Sequence, residues 1–302
     1  MNLEPLFHSK IIKQQKLHED EDHIGGASEI WIVKTEWGET VVRTSNIGHL
    51  EDEKFWLGCN ELYGVDPRNV FRLEEINKEL SNLTQILSIP TVLSKAKIDK
   101  KEYVSLTKLE GKQLVSFLNL SPQELENLGK ALAEIHSEKF DFFGSSSRDL
   151  NSLLKNFNLS LLRVMEILID KFYTNVNKLE DKGIKETFKK MYQLVAELSH
   201  PQSASYIMID LDPSQFLIED NQISSIVDTE GYAIGPREFD FIALEYLLDA
   251  ESVQFFIKGY SSKLDIPDLT QVRPVYRFFY RLLTVQGSVP IDEWLNQPIL
   301  FK

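Results

Sequence analysis

Residues 205–244 read SYIMIDLDPSQFLIEDNQISSIVDTEGYAIGPREFDFIAL. SYIMI is apolar and β-prone, DLDPSQ interrupts it with a proline, QFLI resumes, EDN turns, and QISSIV runs into Asp228. The reading is strand, loop, strand, turn, strand and acidic loop. It places Asp210 and Gln215 on one loop and Asp228 at the end of the returning hairpin, so that three oxygen-bearing side chains can converge. An Asp-rich turn alone is commonplace, because Asp bonds its own backbone and tolerates turn conformations. The ordered set, with its spacing, hairpin and tail, is not.

Phosphoryl transfer requires such a set. A carboxylate orients the acceptor hydroxyl and receives its proton, while hard oxygen ligands hold magnesium on the nucleotide phosphates. IMIDLDPSQFLIEDNQISSIVDTE resembles the catalytic core of the aminoglycoside phosphotransferase and choline kinase-like family, distant relatives of protein kinases. That family's pattern is H-G-D-x-H-x-x-N, a hydrophobic hairpin, then I-D-[WFT]-E. The resemblance implies Asp210 as catalytic base, with Gln215 and Asp228 as metal ligands. Gly235, Pro236 and Asp240 fit the family's G-[DP]-x-x-x-D tail. Met208 and Asp212 stand where the pattern has its two histidines, and Gln215 is one methylene longer than the usual Asn.

With 302 residues, 42 % of them hydrophobic, the chain is long enough for one large or two modest globular domains. A single cysteine, Cys59, excludes an intramolecular disulfide, and the N-terminus lacks an apolar signal core, which together point to a reducing cytoplasm. No apolar run is long enough to span a bilayer. The net charge of −13 disfavours nucleic acid and anionic membranes and favours a cationic ligand, although acidity also serves plain solubility.

Upstream, residues 24–44 read as a β-hairpin entered through Gly25 and Gly26. In a kinase-like small lobe such a hairpin covers the nucleotide phosphates, where absent side chains let backbone N–H groups approach them. The resemblance puts a Lys at the end of the second strand; Arg43 stands there, with fixed positive charge for phosphate oxygens. A short helix is expected before the DPRN turn, then a second with Val70, Leu73, Ile76 and Leu80 at helical spacing. By motif order Glu75 on that helix is the expected partner of Arg43, with Glu74 and Glu53 as alternatives. Two more strands follow, and the resemblance makes SLTKLEG the hinge, where backbone groups around Thr107 and Leu109 would meet the nucleotide base.

In LSPQELENLGKALAEIHSEKF, Ser121 is the expected cap, Pro122 lies in the first turn, and Glu124 completes a capping box. His136 at its end reads as a cap without chemistry. Residues 149–200 are helical by pattern, and three further helices close the chain. Glu230, Glu238, Asp249 and Glu251 are candidates for the mouth of the cleft.

These readings predict an α+β, two-lobed protein kinase-like fold: an antiparallel-sheet N-lobe over 1–106 and a larger, mainly helical C-lobe over 107–302. The expected activity is transfer of the γ-phosphoryl group of ATP or GTP, with Mg2+, to a hydroxyl of a small acceptor such as an aminoglycoside-like antibiotic, amino alcohol or sugar, a cationic acceptor fitting the acidic balance and a neutral one staying open. The alternative is a catalytically impaired nucleotide-binding or regulatory module, since Met208, Arg43 and Gln215 all depart from the pattern.

Overall fold

The β-prone alternation of the first hundred residues builds one antiparallel sheet, seen in a computed structural model that describes residues 2–17, 27–145, 152–175, 178–287 and 289–302. Its strands are β1 (Ile11–Lys16), β2 (Ser28–Thr35), β3 (Gly38–Ser45), β4 (Val92–Ile98) and β5 (Lys101–Thr107), in the order β1-β2-β3-β5-β4. β4 alternates exposed and half-buried positions along its length, as an edge strand with one wetted face does. β3 is central, and Arg43 pairs in register with Ile30 on one side and Val104 on the other. A long cation is thereby fixed on a strand whose backbone is saturated on both edges.

Between β3 and β4 lie α1 (Lys54–Tyr63) and α2 (Leu73–Leu83). α1 ends on Gly64 in the left-handed conformation, whose N–H bonds back to Asn60, the cap that glycine provides without steric penalty. α2 buries Leu73, Ile76, Asn77 and Leu80 and turns its other face outward.

The C-terminal region is mainly helical. β6 (Lys112–Gln113) leads into α3 (Pro122–Ile135); the short β7 (Phe142–Phe143) and β8 (Ser152–Leu153) precede α4 (Phe157–Phe172) and α5 (Leu179–Glu197). The helical pattern expected from residue 149 therefore takes hold at Phe157, after β8 and a 3-10 turn. Next come β9 (Ser205–Met208), β10 (Phe216–Glu219), β11 (Gln222–Ile226) and β12 (Tyr232–Gly235), followed by α6 (Glu238–Leu247), α7 (Ser252–Tyr260), α8 (Arg273–Leu283) and α9 (Ile291–Leu295).

α3 and α7 meet backbone to backbone. A Cβ at Gly259 would lie 2.0 Å from the carbonyl oxygen of Glu126, and one at Gly129 would lie 2.3 Å from that of Phe256. No larger residue fits at this crossing without parting the helices. Beneath, Phe239 stacks on Tyr276 with ring centroids 4.0 Å apart, inside a core that also holds Phe157, Phe279 and Tyr280. The capping box of α3 forms only by half: Ser121 Oγ accepts from the Glu124 N–H at 3.2 Å, but the Glu124 carboxylate accepts instead from Asn127 and from the Ile223 N–H of β11. Burial of Glu124 against the hairpin is the reason.

Candidate active site

β9 pairs antiparallel with β12, and β10 with both β11 and β6. The chain thus leaves β9 at Met208, makes a loop through Asp210, and returns by hairpin to Asp228 before closing beside β9. β12 is the element the sequence reading lacked, and it brings the two ends of the loop together. Pro213 opens a 3-10 turn capped by Asp212, whose carboxylate accepts from the Ser214 N–H at 2.8 Å and the Ser214 hydroxyl at 2.6 Å. Asp212, in the second histidine position of the pattern, is thus a turn-former. Gln215 follows, with its side-chain N–H donating to the Asp210 carbonyl at 2.5 Å and its Oε1 buried without a partner.

Burial, then the charges of Asp228 and Asp212, push the Asp210 carboxyl up to about 7. A carboxylate so disposed can exchange a proton near neutral pH, which is what a general base needs. Asp228 has a left-handed backbone, φ 64° and ψ 51°, uncommon for a side-chain-bearing residue and often found where a loop carries function. The following turn passes over the loop: a Cβ at Gly231 would lie 3.7 Å from that of Asp210.

Arg43 reaches this turn. Its Nη2 lies 2.7 Å from Asp228 Oδ1 and 2.6 Å from Glu230 Oε2. Asp228's side chain is 50 % exposed, Glu230's only 5 %. Burial acts to raise Asp228, but the charge and hydrogen bond of Arg43 together with a hydrogen bond to Glu230 hold the carboxyl below its usual range. Burial, and then the neighbouring charge of Asp228, push Glu230 the other way.

The expected pairing of Arg43 with Glu75 does not form. Glu75 is exposed on α2, and Glu74 is ion-paired with Lys95. The helical period turns both acids away from the face that α2 buries, leaving Asn77 and Arg72 to meet the Asp228 turn. Thr229 Oγ1 donates to Asn77 Oδ1, while Arg72 donates to the Glu230 and Tyr232 carbonyls at 2.6 and 2.7 Å. Glu230 is also not at the mouth of the cleft, being buried behind Arg43. Asp249 and Glu251 are exposed, and Asp249 caps α7 by accepting from the Ser252 N–H at 2.7 Å. Glu238 is half-buried at the start of α6.

His136 is more than a cap. It is fully buried, with Nε2 3.0 Å from Asp240 Oδ2 and Nδ1 2.9 Å from the Tyr260 hydroxyl. Asp240 in turn accepts from the Met208 N–H at 2.9 and 3.1 Å. The loop that carries Asp210 is therefore anchored through its backbone, so the side chain at 208 can be apolar. Sequence order hid this link, since its members come from the end of α3, from β9 and from α6. Thr107 and Leu109 lie where β5 ends, both half-buried; Thr107 Oγ1 accepts from the Thr91 N–H at 2.9 Å. Gly25 and Gly26 fall outside the described residues.

Among the described residues no three His, Cys, Asp or Glu side chains are grouped to hold a metal. The candidate set is mixed: the carboxylate of Asp228 and the unpartnered, buried Oε1 of Gln215. A buried carbonyl oxygen without a donor suits a hard cation such as magnesium.

The five-stranded antiparallel sheet, the helical C-terminal region and the loop between them define a class: this chain has the kinase-like fold of the antibiotic phosphotransferases. Spectinomycin phosphotransferase APH(9)-Ia, in complex with ADP and spectinomycin, is similar over 94 % of this chain and 84 % of its own, with TM-score 0.60 and 13 % identity. Macrolide 2'-phosphotransferase MphH from Brachybacterium faecium is similar over 97 % and 95 %, with TM-score 0.56 and 12 % identity. A GDP complex of an aminoglycoside 2'-phosphotransferase-IIIa mutant is similar over 95 % and 88 %, with TM-score 0.55 and 17 % identity. No protein-family model matches the sequence, and no curated protein matches it.

Proposed function

We propose that this protein is a small-molecule kinase that moves the γ-phosphoryl group of ATP or GTP to an acceptor hydroxyl. The observation that carries the reading is the Asp210 loop, with Gln215 bonded across it and Asp228 near enough for its charge to act on Asp210. Solved structures of this fold hold ADP or GDP, and ADP appears beside an antibiotic. Asp210 orients the hydroxyl and accepts its proton as the oxygen-to-phosphorus bond forms and the bond to the leaving nucleoside diphosphate breaks. Arg43 offers fixed charge to the phosphates. Asp228 and Gln215 would hold Mg2+, which when bound neutralises charge on the phosphate oxygens. The lobes divide near 106/107, and the backbone at Thr107 and Leu109 meets the base, with Gly25 and Gly26 assigned to the phosphate cover.

The acceptor is small and hydroxylated, and the net charge of −13 favours a cationic one. Diphosphate release with magnesium and ATP or GTP, over a panel of aminoglycosides, macrolides, amino alcohols and sugars, tests the reading. Turnover with at least one acceptor is expected, and Asp210→Asn should lower it by roughly 10²–10⁴-fold with nucleotide affinity kept. Wild-type-like turnover in Asp210→Asn would remove Asp210 as the base. Nucleotide binding without turnover on any acceptor would favour the impaired, regulatory reading.

A further inference from the structure

We propose that Glu230 is the carboxylate that positions Arg43 for the nucleotide phosphates, holding the guanidinium when Asp228 turns to the metal. The inference rests on the nucleotide-site reading above. In the structure one nitrogen of Arg43 serves both acids, at 2.7 Å for Asp228 and 2.6 Å for Glu230. The two acids differ in freedom. Asp228's side chain is half exposed, at the tip of a left-handed turn, and can release the cation.

Glu230 cannot. The Ser28 hydroxyl donates to its Oε1 at 2.5 Å, Arg72 grips its carbonyl and that of Tyr232, and Thr229 beside it is tied to Asn77. Ser28 is the first residue of β2, so the carboxylate links the phosphate-facing hairpin to the Asp228 turn. Arg43 is only 6 % exposed, and its Nε is buried without a partner. A cation so placed needs an acid that stays beside it, because a buried charge that loses its partner is strongly destabilising. Guanidinium geometry allows the arrangement: one donor stays on Glu230 while the remaining fork faces phosphate oxygens. None of the three acids of α2 pairs with Arg43: Glu74 is engaged by Lys95, Glu75 is exposed, and the ion pairs of Arg43 go to Asp228 and Glu230 rather than to Glu79.

Titration of the full-length protein with magnesium and ADP, and with magnesium and GDP, tests this in six forms: wild type, Glu230→Ala, Glu75→Ala, Ser28→Ala, Arg43→Gln and the Arg43→Gln/Glu230→Ala double variant. Glu230→Ala should weaken the preferred nucleotide roughly 30-fold or more, the scale of truncating one partner of a buried charge pair. Glu75→Ala should stay within about twofold of wild type, as surface changes do. In the Arg43→Gln background, Glu230→Ala should add less than about a twofold loss, because residues acting as a unit are not additive. A merely structural role for Glu230 would instead give additive losses.

Circular dichroism checks folding. Should Glu230→Ala not fold, Ser28→Ala decides: it should weaken binding by roughly three- to tenfold, the scale of one lost hydrogen bond. Wild-type affinity in Ser28→Ala or Glu230→Ala, additive losses, or a loss in Glu75→Ala equal to that in Glu230→Ala would overturn the proposal. If the wild type binds neither nucleotide, the nucleotide-site reading falls and this inference falls with it. Binding by the wild type with no effect of Glu230 overturns the inference alone.

Discussion

Asp210 sits where ionisation is costly, and that cost has a sign. Its carboxyl titrates near 7 in the folded protein, above the ordinary value of 3.8, first because of burial and then because of Asp228 and Asp212. The folded state therefore holds the proton more tightly than the unfolded chain does. Stability from this group is fully present below about pH 4 and is lost as pH rises toward 7. Asp210→Asn carries no such charge. Urea unfolding should find it more stable than wild type at pH 8, by on the order of 1 kcal/mol after allowance for solvent screening, and equal to it near pH 4. A variant less stable than wild type at pH 8 would show that the carboxylate is not strained. Asp210, Gln215 and Asp228 were legible as a set because they lie within one loop and hairpin, whose turn residues fix their order. The counter-charge of Arg43 was not, because no local spacing says which acid a buried guanidinium meets. One sequence signal did point the right way: Glu230 stands two residues after Asp228, inside the same motif.

The elements that matter most for positioning are those that hold the loop from behind. His136, at the end of α3, and Asp240, near the start of α6, are buried together, and Asp240 accepts from the backbone N–H of Met208. His136→Phe would leave the Asp240 carboxylate without one of its donors in a site that is 0 % exposed. A loss of about 2–4 kcal/mol in chemical denaturation is expected, with turnover falling in the protein that remains folded. Gly259→Ala acts on the same wall by parting α7 from α3, whose closest obstacle is backbone rather than a movable side chain. It should cost about 1–3 kcal/mol, while Gly48→Ala meets no neighbouring atom and no left-handed backbone and serves as a near-neutral comparison. Similar losses in the two variants would mean that the crossing is loose. The stripe of α3 was legible from its period, but the use of Glu124 was not, since its partner at Ile223 is brought by the hairpin. β12 was hidden for the same reason: four residues without alternation become a strand only against β9.

Across the whole molecule, the sheet supplies the cation and the helical region supplies the carboxylates, so the site exists only where the two meet. Ser28 and Arg43 from the sheet are bonded to Glu230 and Asp228 beyond it. The far end of the helical region is pinned separately. Arg273 and Arg277, one turn apart on α8, both bond the buried Glu245, which also accepts from the Leu300 and Phe301 N–H groups. Among the described residues no helix is long and apolar enough to cross a membrane. With a net charge of −13, a cationic acceptor should lose affinity as salt rises, and a neutral one should not. All of this depends on a working magnesium–nucleotide site. Thermal unfolding with ATP and with GTP, each with and without magnesium, in wild type and Asp228→Asn, measures it. Ligand at a hundredfold excess over its Kd should raise the wild-type midpoint by roughly 3–8 °C for one nucleotide, only with magnesium, and much less in Asp228→Asn. A midpoint indifferent to both nucleotides, or an equal shift in Asp228→Asn, would contradict the assignment of this site.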